Sequence, residues 1–522
     1  MKSDSISIMK NKGQTKLERF TSLSRIFQIV FTSKFLYLLG LMGILLFIAS
    51  IWNRFIYIDD AFFGEQALSL ARHGIVRTTS LIDFLGCDIQ LFSYHKLNIF
   101  VGAGLIKLFG WSITPLRLST LIFLCALCFV FWRYFKTNVN AFTNKHFVVA
   151  TFFLLVSPLI LLYGYTYRPE IWVAFFGFTS YFLLDRFLSK NGNLANIVFS
   201  GVCAGLAFLT HLNGLIFPAA GFILLVVYRK YKEAFIFSIV SGFICLFYFW
   251  DLWQPGHLQA WLYQLKNWPD NNATNYMSSG IAGLLKNVGA KLLSEHQRFF
   301  WSYKVWGISF LFFTSLLFNF KYLLKEYRSL IIYTFSLILV LNIAGSQIAE
   351  RFLIYHLPFM SIIISIGILR LLDKWRGGLA VTYLILLLAQ VVFFTKMAVD
   401  IFKRNDSYIA KHESLFSKIP DKTQLILVPY QFVFNALDSC KLATFKGFEY
   451  YEKGVGRILT QQEVFARADS MGIKYIIVPR DGLRYESTSM ECFEGKPLEH
   501  STAYMLIYKD ENAAILERGN KQ

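Results

Sequence analysis

Apolar runs of about 20 residues recur along the chain from Phe35 to Thr395, and they constrain its fold more than any other feature. A helix of this length crosses a hydrocarbon core about 30 Å thick. In lipid the run must be helical, because a helix satisfies its own backbone hydrogen bonds. The chain is 55% hydrophobic, whereas soluble domains have about 45–50% apolar residues. The pattern therefore predicts a polytopic membrane protein.

Short basic segments separate these runs and set the predicted topology. The formal net charge is +19, and the Lys and Arg residues lie mainly between the runs. Cationic connections beside membrane spans are typical of the cytoplasmic side, so the charge favours membrane topology over nucleic-acid binding. With a cytoplasmic N-terminus, every inside turn is basic if there are about eleven spans. The predicted spans are residues 35–52, 114–134, 147–163, 172–184, 196–209, 215–228, 234–253, 301–320, 330–345, 352–372 and 379–398.

These spans divide the chain into three predicted parts. Residues 1–34 form a basic cytoplasmic N-terminus, residues 35–398 form the membrane domain, and residues 399–522 lie outside the cytoplasm. Two long outer loops interrupt the membrane domain, at residues 53–111 and 254–300. We therefore expect an α-helical polytopic membrane protein with a small C-terminal extracytoplasmic α/β domain.

The C-terminal part has shorter apolar runs than the membrane domain. Leu425–Pro429 and Tyr475–Pro479 are short β-branched apolar runs bounded by turn residues, which predicts buried strands. Residues 460–472 have helical spacing of apolar side chains. Three side chains share that apolar face: Val464, Phe465 and Ala468. A helix between two strands indicates a small α/β domain.

The seven cysteines give no zinc-binding CxxC pattern. Four of them lie inside apolar runs, where cysteine behaves as a small core residue. Cys440 and Cys492 lie in the C-terminal part and could pair in an oxidising compartment, but their spacing does not decide whether they do.

Two adjacent acids, Asp59 and Asp60, follow the first span closely. Apolar residues then recur at helical spacing, which predicts an amphipathic helix on the outer membrane surface. Capping such a helix needs only one acid. Two acids at the water–lipid boundary could also act as a general base or hold a metal. Glu65 follows in the same stretch and is a candidate substrate contact.

A second acid, Glu170, lies at the outer start of the fourth predicted span, directly after Arg168 and Pro169. Proline suits a first helical turn, and the helix dipole favours an acid there, so capping explains both residues. The functional alternative is a carboxylate that faces an outer cavity, because ionisable residues at membrane depth are functional candidates.

Further polar residues recur at the same predicted boundary. His211 and Asn213 lie in an outer turn, and either a tight hydrogen-bonded turn or a ligand contact explains them. Arg351 precedes Tyr355 and either snorkels to the interface or binds a phosphate.

His95 and Lys96 form another cationic pair near the end of the first outer loop, where a lysine can also simply snorkel. All of these groups fall on one side of the membrane under one topology. Carboxylates beside cations at a membrane surface suit a substrate with a lipid tail and an anionic phosphate.

Several of these stretches resemble the GT-C superfamily of polyprenyl-phosphate-dependent glycosyltransferases, and in particular bacterial relatives of protein O-mannosyltransferases and lipid A aminoarabinose transferases. The resemblance covers residues 59–359, with the pieces in the same order. The matching stretches are residues 59–65 (DDAFFGE), 105–110 (LIKLFG), 115–119 (PLRLS), 168–170 (RPE), 205–210 (GLAFLT), 351–352 (RF) and 357–359 (LPF).

This resemblance implies transfer of a sugar from a polyprenyl-phosphate donor to an acceptor outside the cytoplasm, with inversion at the anomeric carbon. It implies Asp59 as the general base, with Asp60 and Glu170 as further catalytic acids. Cations should then offset the charge that develops on the leaving phosphate, and the candidates are Lys96, His211 and Arg351. Five residues are candidate substrate contacts: Glu65, His95, Arg168, Asn213 and Tyr355.

The acceptor would be a glycolipid, a polysaccharide or a protein, and the resemblance favours a bacterial inner membrane with the site facing the periplasm. A divalent metal is compatible with these acids, and no cofactor is certain. The strongest alternative is a transporter or flippase for a lipid-linked saccharide. The chain shows no paired half-repeats of the kind transporters have, which favours the transferase. A third alternative is a non-enzymatic assembly subunit whose C-terminal part binds a partner.

Overall fold

The computed structural model describes residues 29–31, 33–138, 141–189, 192–269, 280–345, 347–373, 377–403, 408–480, 490–499, 501 and 503–519. Most of the predicted basic N-terminus, residues 1–28 and 32, lies outside the described residues.

A bundle of helices forms the membrane domain, and each predicted span coincides with one helix or with two helices in line. The helices are α1 (Ser33–Ile51), α4 (Ile113–Thr137), α5 (Asn144–Leu155), α6 (Pro158–Tyr163), α7 (Glu170–Ser189), α8 (Leu194–Thr210), α9 (Ile216–Val227), α10 (Tyr231–Leu246), α14 (Tyr303–Glu326), α15 (Arg328–Ala344), α16 (Leu357–Asp373) and α17 (Gly377–Lys403). The third predicted span divides into α5 and α6 because Pro158 begins a new helix.

Length and hydropathy support the membrane assignment. Six of the described helices are long and apolar enough to cross a bilayer, and five shorter apolar helices lie among them. Several of these helices expose large apolar side chains on their outer faces, as lipid contact requires, for example Phe129 on α4 and Leu317 on α14. The predicted fold class is therefore confirmed: the chain is a helical, polytopic integral membrane protein with a small C-terminal sheet domain.

The two predicted outer loops also contain helices. The first loop folds into α2 (Ile58–His73) and α3 (Lys96–Phe109), and the second contains α11 (His257–Asn267), α12 (Gly280–Ser294) and α13 (His296–Phe300). We expected α2 to lie on the membrane surface, but ten of its residues from Asp60 to Leu70 are buried. The expectation is wrong because α3 packs on one face of α2 and the C-terminal domain packs on another.

The C-terminal domain is a five-stranded mixed sheet with helices. Its strands are β1 (Leu425–Val428), β2 (Lys441–Thr444), β3 (Tyr475–Pro479), β4 (Tyr504–Lys509) and β5 (Ala513–Arg518), and their order in the sheet is β2-β1-β3-β5-β4. The pairs β1–β2 and β1–β3 are parallel, whereas β3–β5 and β4–β5 are antiparallel. Its helices are α18 (Tyr408–Ser417), α19 (Val433–Ala436), α20 (Phe445–Val455) and α21 (Gln461–Ser470).

The two predicted strands of this domain correspond to β1 and β3, and the predicted helix corresponds to α21. Thr460 and Glu463 form a capping box at the start of α21. The predicted apolar face of α21 is buried against β-strand residues. The structure forms no disulfide bond between Cys440 and Cys492, the pairing that the sequence left open.

Polar contacts fix the C-terminal domain to the first outer loop. The Tyr430 hydroxyl donates to Glu65 Oε2 at 2.6 Å, and the Thr444 amide donates to the Ser80 carbonyl at 3.0 Å. The loop and the domain therefore pack as one unit above one end of the helix bundle, and the space between them forms the candidate site.

Candidate functional site

A cavity of about 670 Å³ lies where the helix bundle, the two outer loops and the C-terminal domain meet. Six of the residues predicted from the sequence line it. They are Asp59, His95, Arg168, His211, Asn213 and Arg351. The C-terminal domain contributes lining residues as well, among them Tyr430, Lys446 and Tyr450. The domain thus closes one side of the cavity.

A chain of alternating charges lies along the cavity. The Arg168 guanidinium pairs with the Asp59 carboxylate and also makes two hydrogen bonds to Glu170, at 2.6 and 3.0 Å. Arg351 Nε lies 3.5 Å from Glu170 Oε1 on the other side, and Arg351 Nη2 donates to Gln347 at 3.0 Å. Glu170 is 1% exposed, but the Asp59 side chain is 28% exposed to the cavity.

Asp60 occupies a different environment from its neighbour. It is fully buried, and its Oδ2 accepts hydrogen bonds from Arg117, at 2.5 Å to Nη2, and from the Tyr57 amide at 3.0 Å. Its Oδ1 accepts from the Tyr167 amide at 2.6 Å. The Asp60 carboxylate is therefore held by the structure around it, and it does not line the cavity.

Two histidine rings form one wall of the cavity. The rings of His95 and His211 stack with centroids 4.3 Å apart. His211 Nδ1 accepts from the Asn213 amide at 2.9 Å, so its remaining nitrogen is the donor in a neutral ring. Burial lowers the pKa of His95 to about 4, which makes that ring neutral at pH 7. Uncharged imidazoles therefore line this wall.

Lys96 lies outside the cavity lining, contrary to the expectation that it contacts a phosphate there. Its ammonium is 1% exposed and donates to Asp251 at 2.6 and 2.8 Å, with the Tyr94 ring 3.6 Å away. Burial lowers the pKa of Lys96 to about 8, and Asp251 opposes that shift. The ion pair with Asp251 neutralises the charge of Lys96 and joins the first outer loop to the residues after α10.

Glu65 and Tyr355 are likewise placed beside the cavity lining and not in it. Glu65 is buried and accepts four hydrogen bonds, from the Thr79 hydroxyl, the Ser80 amide and hydroxyl, and the Tyr430 hydroxyl. Burial raises the pKa of Glu65, although these donors oppose the shift. Tyr355 is buried under His211, with ring centroids 6.4 Å apart. Both residues therefore support the site from behind.

Aromatic rings form a second part of the cavity lining. The Phe62 ring lies 6.2 Å from Trp268 and 5.9 Å from Tyr430, and Trp268 meets Tyr450 edge-on at 5.4 Å. Tyr450 in turn stacks on Phe84 at 4.4 Å. These rings come from α2, the second outer loop and the C-terminal domain, so the wall exists only when all three are assembled.

The sequence contains signals for several further residues of the site. Arg117 stood within a stretch that carried the family resemblance but received no role. Asp251 is an acid at the end of a span, the same signal that identified Glu170. Gln66 lies seven residues after Asp59 and so on the same helix face, and it also lines the cavity. No local signal marks Tyr450 or Trp268.

The residues at the site do not form an arrangement suited to a divalent metal. Among the described residues, no group of three or more His, Cys, Asp or Glu side chains is placed to hold an ion. Both carboxylates nearest the cavity, those of Asp59 and Glu170, are paired with Arg168.

Several solved structures have an architecture similar to that of this chain. The ArnT structure from Cupriavidus metallidurans bound to undecaprenyl phosphate has a TM-score of 0.56 and 11% identity, over 93% of this chain and 98% of that one. The Archaeoglobus fulgidus oligosaccharyltransferase in complex with Zn and sulfate has a TM-score of 0.53 and 14% identity, over 85% and 67%. The same enzyme tethered to an acceptor peptide containing the NVT sequon has a TM-score of 0.54 and 12% identity, over 86% and 70%.

No protein-family model and no curated protein matches the sequence. The likeness is therefore one of fold, and it extends over nearly the whole chain, including the C-terminal domain. It agrees with the fold that the resemblance over residues 59–359 implied. This chain has the fold of ArnT and of the archaeal oligosaccharyltransferase.

Proposed function

We propose that the chain is a glycosyltransferase that moves a sugar from a polyprenyl-phosphate donor to an acceptor outside the cytoplasm. One observation carries this proposal: a carboxylate, Asp59, faces a large cavity beside two guanidinium groups, Arg168 and Arg351. A base for an acceptor hydroxyl and cations for a leaving phosphate are the two requirements of such a transfer.

The proposed reaction is a single displacement. The acceptor oxygen forms a bond to the anomeric carbon while the bond between that carbon and the phosphate oxygen breaks. The acceptor proton passes to the Asp59 carboxylate, and the electron pair leaves with the polyprenyl phosphate. Attack from the face opposite the phosphate inverts the anomeric carbon. General-base assistance of this kind contributes about 10²–10⁴-fold to the rate.

We assign the other two acids to positioning. Asp60 is saturated by Arg117 and two backbone amides, so it fixes the start of α2 and thereby aims Asp59. Glu170 is buried and holds Arg168 in a bidentate pair. Arg168 in turn positions the Asp59 carboxylate. This assignment revises the sequence-based hypothesis, in which all three acids were catalytic.

For the donor phosphate we propose Arg351 and Arg168 as the binding cations. Arg351 is the more available of the two, because its side chain is 33% exposed and that of Arg168 is 5% exposed. His211 can donate one hydrogen bond to a phosphate oxygen from its neutral ring. Lys96 has no part in this scheme, since Asp251 neutralises it outside the cavity.

The distribution of basic connections supports an orientation in which the cavity and the C-terminal domain face away from the cytoplasm. In a bacterial inner membrane this side is the periplasm. The acceptor on that side is a glycolipid, a polysaccharide or a protein. Asp59 and Arg351 are available to the donor from the same cavity.

A transfer assay tests the proposal. Full-length protein in nanodiscs is given radiolabelled undecaprenyl-phosphate glucose, mannose and aminoarabinose with a membrane extract as acceptor, and Asp59→Asn is compared with wild type. We expect transfer from at least one donor, and at least a hundredfold loss in Asp59→Asn with unchanged thermal unfolding. Equal activity in the variant contradicts the role of Asp59. Translocation of the lipid-linked sugars without any transfer contradicts the enzyme and establishes the flippase.

A further inference from the structure

Gln66 is a buried polar side chain with no hydrogen-bond partner among the described residues. It is 1% exposed, and neither its Oε1 nor its Nε2 has a hydrogen-bond partner there. Leaving such a group unsatisfied is destabilising, and most buried polar groups in folded proteins are bonded. Gln66 nevertheless lines the cavity that holds Asp59. An amide retained in this position calls for a ligand that completes its hydrogen bonds.

The place of Gln66 on α2 relates it to the proposed base. Asp59, Phe62, Phe63 and Gln66 all line the cavity and follow the i, i+3, i+4, i+7 spacing of one helix face. Gln66 therefore lies two turns beyond Asp59, about 10 Å along the helix axis. The two polar groups stand at either end of a stripe whose middle is aromatic.

The unsatisfied atoms restrict the chemistry of the ligand. The amide needs an acceptor for its N–H groups and a donor for its carbonyl oxygen. A phosphate supplies acceptors alone, and an ammonium group supplies donors alone. A hydroxyl or acetamido group supplies both. The neighbouring rings of Phe62 and Trp268, 6.2 Å apart, offer an apolar wall for the carbon face of such a ligand.

We propose that Gln66 is a sugar-binding residue, which hydrogen-bonds a hydroxyl or acetamido group of a sugar ring held against Phe62 and Trp268. This inference rests on the proposed transferase function and deepens it, because it names the part of the substrate that α2 recognises. The ring belongs either to the donor or to the acceptor, both of which must approach Asp59. A site built to bond a hydroxyl discriminates strongly against a ligand that lacks it.

Gln264 provides a matched control for Gln66. It is also buried, at 2% exposure, but both ends of its amide are bonded: Oε1 accepts from the Phe92 amide at 2.9 Å, and Nε2 donates to the Gln90 carbonyl at 2.8 Å. Gln264 does not line the cavity. Gln264→Leu should therefore lower the thermal unfolding midpoint of the ligand-free protein. Gln66→Leu removes an unsatisfied amide and should leave the midpoint equal or higher.

The test measures binding to full-length protein in nanodiscs, using undecaprenyl phosphate, undecaprenyl-phosphate mannose, glucose and galactose, and the corresponding methyl glycosides added with saturating undecaprenyl phosphate. If the ring is the donor's, Gln66→Leu weakens at least one sugar-bearing lipid tenfold or more and leaves undecaprenyl phosphate unchanged. If the ring is the acceptor's, the variant binds both kinds of lipid as wild type does but binds the methyl glycosides tenfold more weakly.

Unchanged binding of every sugar probe in Gln66→Leu overturns the inference, and so does a lower unfolding midpoint like that of Gln264→Leu. Both results leave the transferase standing if wild type still transfers sugar and Asp59→Asn does not. Conversely, the separate transfer assay shows failure of the proposed transferase, as an absence of sugar transfer by wild type. The failure of the sugar-binding inference and the failure of the transferase are therefore distinguishable.

Discussion

The two faces of α2 carry similar residues but differ in how completely their polar groups are satisfied. On the buried face, Asp60 accepts from Arg117 and two backbone amides, and Glu65 accepts four hydrogen bonds. On the cavity face, Asp59 has the guanidinium of Arg168 as its partner and is partly exposed, and Gln66 has no hydrogen-bond partner among the described residues.

This difference separates residues that stabilise the fold from residues that can bind substrate or react, within a single helix. A saturated buried carboxylate has no lone pair left for a substrate, so its contribution is to stability. A polar group that faces a cavity with unused capacity can bind or accept a proton. The residue type alone therefore does not reveal the role, and neighbouring acids such as Asp59 and Asp60 divide the work between them.

The strongest way to break the buried face is to remove the Asp60 charge. Asp60→Ala leaves the buried Arg117 guanidinium, 6% exposed, without its counter-ion. Breaking a buried pair in this way costs about 3–5 kcal/mol of folding stability. Denaturant unfolding in detergent should show this loss, and Asp60→Ala combined with Arg117→Leu should recover part of it. An Asp60→Ala protein as stable as wild type would contradict the supporting role of this face.

A smaller perturbation loosens the contact between α2 and the C-terminal domain. Tyr430→Phe removes the hydroxyl that donates to Glu65 at 2.6 Å but keeps the ring. Hydrogen bonds to charged groups contribute about 1.5–3 kcal/mol, so we expect a loss in that range. Limited proteolysis should also cleave the C-terminal domain faster. Tyr508→Phe, whose hydroxyl bonds Asp510 in the same domain, is the matched control. Equal protection in both variants would contradict a role of the Tyr430–Glu65 hydrogen bond in holding the C-terminal domain on α2.

Acid should destabilise the histidine wall through His95. Its pKa is about 4 in the folded protein and 6.5 otherwise, so between these values the unfolded chain binds more protons. Stability should therefore be highest above pH 6.5 and fall as the pH drops toward 4, by about 2 kcal/mol at pH 5. His95→Gln should flatten this dependence of the unfolding midpoint. A slope unchanged by His95→Gln would assign the acid sensitivity to other groups, first among them His211, which stacks on it.

The smallest expected effect concerns the phosphate. Arg351→Gln removes a partly exposed cation from the cavity and should weaken undecaprenyl phosphate binding about tenfold, which corresponds to about 1.4 kcal/mol. Arg72→Gln makes the same change outside this cavity, where Arg72 pairs with Asp438, and should bind as wild type does. Microscale thermophoresis on nanodisc samples measures both. Equal affinities for the two variants would remove Arg351 from the proposed donor site.

Most of the membrane fold could be predicted from the sequence, because local hydropathy and the charge of the connections indicate the membrane spans. The C-terminal domain could be predicted only in part. β1, β3 and α21 carry compact apolar signals, whereas β4 has an exposed Met505 and Leu506 on an edge and gives no clear alternation. The burial of α2 was missed because it depends partly on the C-terminal domain, where Tyr430 lies 365 positions from its partner Glu65.

The candidate site could be located but not resolved from the sequence. Topology placed Asp59, His95, His211 and Arg351 at one boundary, and they do line one cavity. Their partners could not be foreseen, since the pair between Lys96 and Asp251 joins residues 155 positions apart. The role of each charged group is decided by such partners, which only the folded chain brings together.

The most direct test of the central claim compares Asp59→Asn with Asp60→Asn in one preparation, measuring sugar transfer and thermal unfolding for each. The account predicts that Asp59→Asn loses at least a hundredfold in transfer rate while its unfolding midpoint stays at the wild-type value. It predicts that Asp60→Asn has a clearly lowered midpoint, and that its folded fraction retains measurable transfer. Loss of transfer in a stable Asp60→Asn protein, with Asp59→Asn active, would reverse the two roles and contradict the account.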